Sequence, residues 1–228
     1  MPVFKFVNKS FFKSWSDEMA YILGFFAADG YITLNKRGAN FWCIQITDKQ
    51  LLESIRLAVN SEHKISIRFG QKNESDKYRL QIGSKEMCDD LRALGFKELK
   101  TKNMVVPKIP KKYLSHFVRG YFDGDGNVWV GYINKKRSTP TLVLSVMFTS
   151  CSDRFLRQLR DKLGLLGVEG GSLYNTKGNY SRLQFSTNDA WKIHDIMYNQ
   201  SDLVKSGLFL NRKKQVFDKF SKLKSLRS

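Results

Sequence analysis

The chain has 228 residues, which is enough for one large domain or two small ones with a buried core. Its 39 lysines and arginines against 21 acidic residues give a formal net charge of +18, and such an excess points to a polyanion such as nucleic acid. Three cysteines without CxxC spacing argue against a disulfide scaffold or a zinc ribbon. Because there is no apolar run of membrane-spanning length and no secretory signal, we expect an intracellular protein without a membrane partner.

The first half of the sequence predicts the element order αββαββα. Residues 1–15 mix aromatic residues with lysines, and they are interpreted either as a basic arm along a phosphate backbone or as a segment docked on the core. An N-cap at Ser16 then opens a helix that ends at Asp29. Alternation of apolar and polar residues predicts a sheet with one face under helices and one polar, basic face. The elements expected after Asp29 are strands at 31–35 and 40–47, a helix at 49–60, strands near 65–69 and 77–82, and a helix at 84–94.

The second half repeats this order after a lysine-rich linker at residues 96–110. The interval from Gly24 to Gly120 equals the interval from Asp29 to Asp125, so the sequence predicts an internal duplication. The expected elements are a helix at 111–125, strands near 128–132 and 144–148, a helix at 153–163, strands near 171–175 and 180–186, a helix at 189–198, and a basic helix at 211–226.

Each half opens with an apolar helical run that ends in Asp-Gly, at residues 22–30 and 118–126. Small residues four positions apart lie on one helix face, so we expect the two runs to pack closely against each other. Gly30 and Gly126 are expected to end the helices with a positive φ. The small residues expected at the helix interface are Gly24, Ala28, Gly120 and Gly124.

The acidic residue before the last glycine of each run is the main candidate for chemistry. If the helices pack face to face, Asp29 and Asp125 emerge side by side at two helix C-termini. Two carboxylates and the terminal carbonyl groups favour a cation at that point. A single Asp-Gly helix end is usually a plain C-cap, but a cap alone does not require duplication on a close-packing face.

These motifs resemble the LAGLIDADG family, specifically a single-chain, two-motif homing endonuclease. The resemblance rests on both nonapeptides, on the αββαββα order of each half, and on the basic segments at the end of each half. It implies an α+β fold with two pseudo-two-fold related halves, motif helices at their interface, and two antiparallel sheets that form a DNA-binding saddle. The implied divisions are an N-terminal arm at 1–15, a first half at 16–95, a linker at 96–110, and a second half with a basic C-terminal helix at 111–228.

The resemblance also implies the activity and its residues. It predicts a monomer that binds an asymmetric double-stranded DNA target and hydrolyses both strands, leaving short 3′ overhangs. The expected cofactor is Mg²⁺, which Mn²⁺ can replace, whereas Ca²⁺ is expected to bind without supporting cleavage. The implied metal ligands are the carboxylates of Asp29 and Asp125 and the main chain at Ala28 and Gly124. The implied basic residues near the scissile phosphates are Lys100 and Lys213, with Arg212 as the neighbouring choice.

The two motifs differ at one acidic position. Ala27 stands where many members of the family carry an acid, whereas the second motif keeps Asp123. In the family this position supports helix packing or a helix cap, so Ala27 does not by itself predict an inactive first half. The resemblance further assigns Asp48 and Ser150, at the ends of the second strands, to the ordering of water.

The polar sheet faces are the expected DNA contacts. Gln and Asn can pair with adenine, and Arg or Lys with guanine, at the major-groove edge, while turn lysines are expected to touch phosphates. Because the two halves differ at these positions, we expect a target that is only loosely palindromic. The first-half candidates are Thr33, Asn35, Arg37, Gln45, Ser66, Arg68, Lys77, Arg79 and Gln81. The second-half candidates are Asn127, Trp129, Lys135, Arg137, Ser145, Met147, Arg182 and Gln184.

Two other functions stay open on this scaffold. One is an RNA-binding intron maturase, with or without residual cleavage, which would use a basic surface away from the sheets. The other is a DNA-binding regulator that has lost catalysis. Both motif acids are present, and binding alone does not require both carboxylates, so the sequence favours the nuclease.

Overall fold

The same order of helices and strands occurs twice along the chain. The structure, a computed structural model, describes residues 5–98, 102–199 and 206–226. Within these ranges seven α-helices and eight strands fall into two units. The first unit takes in Met1–Lys100, Pro107–Tyr121 and Asp202–Leu208, and the second takes in Thr101–Val106, Phe122–Ser201 and Phe209–Ser228.

The first unit is an antiparallel four-stranded sheet with strand order β1-β2-β4-β3 and three helices that follow the predicted order. A short 3₁₀ turn at Phe11–Lys13 precedes them. The elements are α1 Asp17–Asp29, β1 Gly30–Leu34, β2 Asn40–Ile46, α2 Lys49–Ala58, β3 Ser66–Arg68, β4 Lys77–Gly83 and α3 Lys85–Ala93.

The second unit has the same topology, with strand order β5-β6-β8-β7. Its opening helix begins in the first unit, after a 3₁₀ turn at Lys111–Tyr113. The elements are α4 Leu114–Asp125, β5 Gly126–Ile133, β6 Thr141–Ser150, α5 Asp153–Gly164, β7 Ser172–Asn175, β8 Ser181–Ser186, α6 Thr187–Tyr198 and α7 Asn211–Ser225. The predicted α+β class with duplicated αββαββα halves is confirmed.

Short polar side chains cap the first and the last helix of the first unit. The hydroxyl of Ser84 accepts a hydrogen bond from Met87 N at the start of α3, and the hydroxyl of Ser16 accepts one from Met19 N at the start of α1. Such side chains satisfy amide groups that have no partner within the helix. The local sequence therefore determines where these helices begin.

Each sheet packs an apolar face against its helices. In the first unit Trp42 is fully buried and makes edge-to-face contacts with Phe12 and Phe26. In the second unit Phe122 packs edge to face on Phe148, which belongs to β6. Aromatic pairs of this geometry add to the free energy gained by burying their apolar area. The opposite face of each sheet carries the polar residues.

The expected positive φ at the two motif glycines is wrong. Gly30 has φ −87°, and Gly126 is also outside the left-handed region. A Cβ atom at Gly30 would collide with the ring of Phe26, and one at Gly126 would collide with Phe122. Glycine is therefore needed here because an aromatic side chain one turn earlier occupies the space of a side chain. None of the helices in the described ranges is both long and apolar enough to cross a bilayer.

Candidate metal and nucleic-acid site

Two glycines allow α1 and α4 to touch within the first unit. A Cβ atom at Gly24 would collide with the carbonyl oxygen of Phe117, and one at Gly120 would collide with the carbonyl oxygen of Tyr21. Backbone atoms rather than side chains therefore fill the space beside each glycine. This is the close approach that the small-residue pattern predicts for Gly24 and Gly120.

Each motif helix ends on an aspartate. Asp29 is the last residue of α1 and Asp125 is the last residue of α4, and both are partly exposed. A carboxylate is unfavourable at a helix C-terminus, where the helix dipole is negative, and neither helix carries a basic residue in its last turn. The ammonium group of Lys213 lies at the end of α4 and offsets part of this penalty there, and a bound cation at either end would offset it further.

The donor atoms at the two helix ends suit a hard divalent cation. Carboxylate and carbonyl oxygens are preferred ligands of Mg²⁺, which also keeps several of its waters. Among the described residues there is no group of three or more His, Cys, Asp or Glu side chains that could hold a metal ion. A metal ion at Asp29 or Asp125 would therefore take its other ligands from the main chain, water and substrate.

The lysine assigned to the second half contacts the end of α4. Lys213 is 7% exposed, and its ammonium group lies 5.0 Å from the centre of the Phe122 ring. It donates hydrogen bonds to the carbonyl oxygens of Phe122 (2.6 Å), Asp123 (2.8 Å) and Gly126 (2.6 Å). Arg212, the neighbouring choice, is exposed. Lys100, the first-half counterpart, lies outside the described residues.

Asp123 completes a reciprocal contact at the same place. Asp123 is 2% exposed, and its carboxylate accepts a 3.0 Å hydrogen bond from the amide of Leu210, the residue just before α7. The acid therefore caps the start of α7 while Lys213 caps the end of α4. We call this pair of contacts the α4–α7 clamp; it consists of Asp123, Leu210 and Lys213 together with the carbonyl groups that Lys213 binds.

The two residues assigned to water ordering take part in helix capping. The Asp48 carboxylate accepts a 2.9 Å hydrogen bond from Leu51 N and caps α2. The Ser150 hydroxyl is buried and accepts a hydrogen bond from the amide of Ser152, the N-cap of α5. Both side chains thus help to begin the helix that follows the second strand of each half.

The polar face of the first sheet is organised by the pairing of its strands. Tyr31, Cys43 and Gln81 pair directly across β1, β2 and β4. Partial burial raises the pKa of Tyr31, and its contact with the Cys43 thiol raises it further, whereas nearby Arg79 lowers it. The same face carries the candidates Thr33, Gln45, Ser66, Arg68, Lys77 and Arg79, all partly or fully exposed.

The corresponding row of the second sheet runs through Asn127, Met147 and Gln184. The Gln184 amide is held on both sides. Tyr174 donates a 2.9 Å hydrogen bond to Gln184 Oε1, and Gln184 Nε2 donates a 3.0 Å hydrogen bond to Ser145. Tyr174 is not among the contacts expected from the sequence, although it follows the inward-facing Leu173 in the alternation of β7.

Two further second-sheet candidates carry aromatic contacts. Trp129 is 48% exposed, and its indole lies where a Cβ atom at Gly131 would be. The guanidinium of Arg182 lies 5.3 Å from the ring centre of Tyr180 and donates a 3.3 Å hydrogen bond to its hydroxyl. Both side chains lie on the polar face of the second sheet, because Trp129 pairs with Ser145 across the strands.

The candidates in the strand-connecting turns are exposed. Asn35 uses its side-chain oxygen within the first turn, where it accepts hydrogen bonds of 2.9 Å from Arg37 N and Ala39 N. Its amide nitrogen, rather than this oxygen, is the atom left for a base. The remaining turn candidates Arg37, Lys135 and Arg137 are all exposed.

Two αββαββα units, each opened by a glycine-bearing helix that ends in aspartate, define a duplicated α+β protein. The family model for the LAGLIDADG-like domain matches residues 16–94 and again residues 112–203. The chain therefore belongs to the LAGLIDADG family.

Solved structures with this fold include three homing endonucleases. The homing endonuclease I-WcaI, bound to its DNA recognition sequence, is 16% identical, with a TM-score of 0.60 over 91% of this chain and 90% of that one. The LAGLIDADG meganuclease I-AabMI, bound to uncleaved DNA, is 15% identical, with a TM-score of 0.59 over 91% and 90%. I-DmoI, in complex with DNA and Mn, is 16% identical, with a TM-score of 0.54 over 81% and 97%. At these identities the similarity is one of fold.

A curated relative matches over a shorter stretch. It is an uncharacterised protein of Methanocaldococcus jannaschii, 27% identical over 119 residues. The matched stretch covers 50% of this chain and 40% of that relative.

Proposed function

We propose that this protein is a site-specific, divalent-metal-dependent endonuclease that cuts both strands of double-stranded DNA. The observation that carries the proposal is the pair of motif helices that end on Asp29 and Asp125, each followed directly by the first strand of a sheet with a polar outer face. The net charge of +18 fits a polyanionic substrate. The solved structures of I-WcaI, I-AabMI and I-DmoI contain DNA, and that of I-DmoI also contains Mn.

Asp29 and Asp125 would each hold a divalent cation, with the main-chain carbonyl groups of Ala28 and Gly124 as neighbouring ligands. When bound, Mg²⁺ would neutralise charge on the phosphate and lower the pKa of a bound water. Mn²⁺ would replace it, and Ca²⁺ would support binding alone. The resemblance assigns Lys100 and Lys213 to the scissile phosphates, where a cationic side chain would stabilise developing negative charge. The ammonium group of Lys213 is bonded to the carbonyl groups of Phe122, Asp123 and Gly126, so direct contact with a phosphate would require it to leave them.

The sheet faces would select the target. The candidates on β1 to β8 carry amide, hydroxyl and guanidinium groups that can pair with base edges in the major groove. The equivalent rows of the two sheets differ, with Cys43 in the first where the second has Met147. We therefore propose an asymmetric target and a monomeric enzyme that leaves short 3′ overhangs.

Cleavage selection from a randomised DNA library with Mg²⁺ tests the proposal, followed by Asp29→Asn and Asp125→Asn on the selected target. We expect each variant to lose cleavage and to retain DNA binding, because asparagine keeps the shape of the side chain without its charge. Asp161→Asn, at an exposed position of α5, is the matched control and should cleave normally. Unchanged cleavage rates in both motif variants would refute the assignment.

A second function is favoured by the surface of α7. This helix packs through Phe217 on Phe122, on the helix-covered side of the second sheet. Its exposed cationic residues are Arg212, Lys219, Lys222 and Lys224. This basic surface lies away from the polar sheet face, as an RNA-binding maturase would require. Filter binding of intron RNA and duplex DNA at matched salt separates the two functions, because a maturase should prefer the RNA.

A further inference from the structure

The α4–α7 clamp surrounds Asp125 within the second unit. Two of the acceptors for Lys213, the carbonyl groups of Phe122 and Asp123, precede Asp125, and the third, that of Gly126, follows it. A single ammonium group therefore bonds the main chain on both sides of the proposed metal ligand.

The physical chemistry of the clamp favours one arrangement of this segment. An ammonium group has three donors, and all three find carbonyl acceptors here. Carbonyl groups at a helix C-terminus lack partners within the helix and carry partial negative charge, so a cation there is stabilised. A buried ammonium that lost these acceptors would be strongly unfavourable. The segment at 122–126 is therefore restrained by contacts that are costly to break.

The carboxylate side of the clamp has no counterpart in the first motif. Ala27 occupies the position that corresponds to Asp123, and its methyl group cannot accept a hydrogen bond. Asp123, in contrast, accepts one from Leu210. The two motif helices are thus anchored differently at the ends that carry Asp29 and Asp125.

We propose that Lys213 and Asp123 are positioning residues for Asp125, and that the clamp affects the two DNA strands unequally. This inference rests on the proposed nuclease function. Lys213 acts through the main chain at 122–126, which it holds in place while Asp125 binds metal. Loss of the clamp releases this helix end and leaves the end at Asp29 unaffected, so one strand is cleaved more slowly than the other.

Lys213→Met tests the proposal, because methionine keeps the apolar length of the side chain and removes its charge. Lys214→Met is the matched control; Lys214 is the next residue and forms a partly exposed ion pair with Asp218. Asp123→Ala places the residue of the first motif in the second, and Asp123→Asn keeps an acceptor for Leu210. Two measurements are needed: amide hydrogen exchange of the protein without metal or DNA, and cleavage of DNA labelled separately on each strand.

We expect Lys213→Met and Asp123→Ala to speed exchange at residues 122–126 and to leave residues 27–30 unchanged. Each should slow cleavage of one strand by about 10–100-fold, the range for residues that orient a metal ligand, and produce nicked DNA. Lys214→Met should behave like the wild type, and Asp123→Asn should lie closer to the wild type than Asp123→Ala in both measurements, because asparagine keeps an acceptor for the amide of Leu210. A merely structural defect would instead slow both strands equally.

Equal slowing of both strands, or unchanged exchange at 122–126 in both clamp variants, would overturn the proposal. If Lys213→Met fails to fold, the proposal is tested by comparing Asp123→Ala with Asp123→Asn in the same two measurements. If the wild-type protein cleaves no DNA, the proposed function is wrong, and faster exchange at 122–126 then supports the clamp while unchanged exchange refutes it.

Discussion

The hydroxyl of Tyr174 donates a 2.9 Å hydrogen bond to the side-chain oxygen of Gln184, which lies on the neighbouring strand. Ser145 accepts a hydrogen bond from the other end of the same amide. The orientation of the Gln184 amide is therefore determined before any ligand binds. One N–H and one lone pair of this amide stay available, which is the pattern that pairs with adenine in the major groove.

Tyr174→Phe should reduce the base preference at one position of the target, because the Gln184 amide loses one of its two restraints. We expect the discrimination to fall by about 1 kcal/mol, the typical net value of one hydrogen bond. Gln184→Ala should remove about 1–3 kcal/mol of discrimination at the same position. Competition binding with targets that vary base by base measures both effects.

The control for this experiment is Tyr78→Phe, on the helix-covered face of the first sheet. It removes the same hydroxyl group and should leave the base preference unchanged. If the Tyr174→Phe protein keeps the wild-type base preference at every position of the target, then Tyr174 does not restrain the Gln184 amide.

Gly120→Ala should destabilise the first unit. The added Cβ would collide with the carbonyl oxygen of Tyr21, which is backbone and cannot rotate away. Overpacking of this kind costs about 1–3 kcal/mol in the free energy of unfolding. Urea unfolding measures the change.

Gly164→Ala provides the comparison, because a Cβ atom there meets no atom within 4 Å and Gly164 is the last residue of α5. We expect it to be neutral or stabilising. If Gly120→Ala is as stable as Gly164→Ala, the two helices do not need glycine at their contact.

The stability of the first unit should fall in mild acid because of His116. Burial lowers the pKa of His116, and the neighbouring Arg119 guanidinium lowers it further, against the opposing effect of Asp17. Arg119 donates to Nδ1, so the neutral ring carries its proton on Nε2, 3.3 Å from the Asp17 carboxylate. The folded protein therefore favours neutral His116.

The sign of the pH effect follows from this lowered pKa. Below about pH 6.5 the unfolded chain binds a proton on His116, whereas the folded protein keeps this histidine neutral. The free energy of unfolding therefore decreases as the pH is lowered, until the pKa of His116 in the folded protein is reached. The slope from one group is at most about 1.4 kcal/mol per pH unit.

Urea unfolding between pH 7.5 and 5 should show a smaller loss in His116→Gln than in the wild type. Burial also lowers the pKa of His63, but that residue is present in both proteins, so the difference isolates His116. Identical pH profiles would contradict the prediction.

Lys136→Ala should weaken DNA binding without changing base preference. Lys136 is exposed in the turn between β5 and β6, where a lysine is expected to contact phosphate. Loss of one phosphate contact should reduce the slope of log K against log salt by about 1. Binding titrations at several salt concentrations measure the slope. A change of base preference in this variant, rather than of slope, would place Lys136 at a base edge.

The elements of the fold could be predicted from the sequence because their determinants are local. Alternation in Tyr78 to Ile82 and capping by Ser16 and Ser84 depend on residues a few positions apart. The duplication is visible because both motifs keep the same spacing. The prediction of a positive φ at Gly30 and Gly126 is wrong. Glycine is needed at these positions because Phe26 and Phe122 occupy the space of a side chain, and a pattern of residue types does not show which space is occupied.

Within the candidate site, residue types and their spacing are enough to predict which acids end the motif helices and which residues face outward from the sheets. The partners of these side chains depend on how the chain packs. Lys213 reaches carbonyl groups that are about 90 positions earlier in the chain, and Tyr174 meets Gln184 only because β7 pairs with β8. Such contacts depend on how distant segments of the chain pack. Every residue has a main-chain carbonyl group, so the sequence does not indicate which of them a lysine will bind.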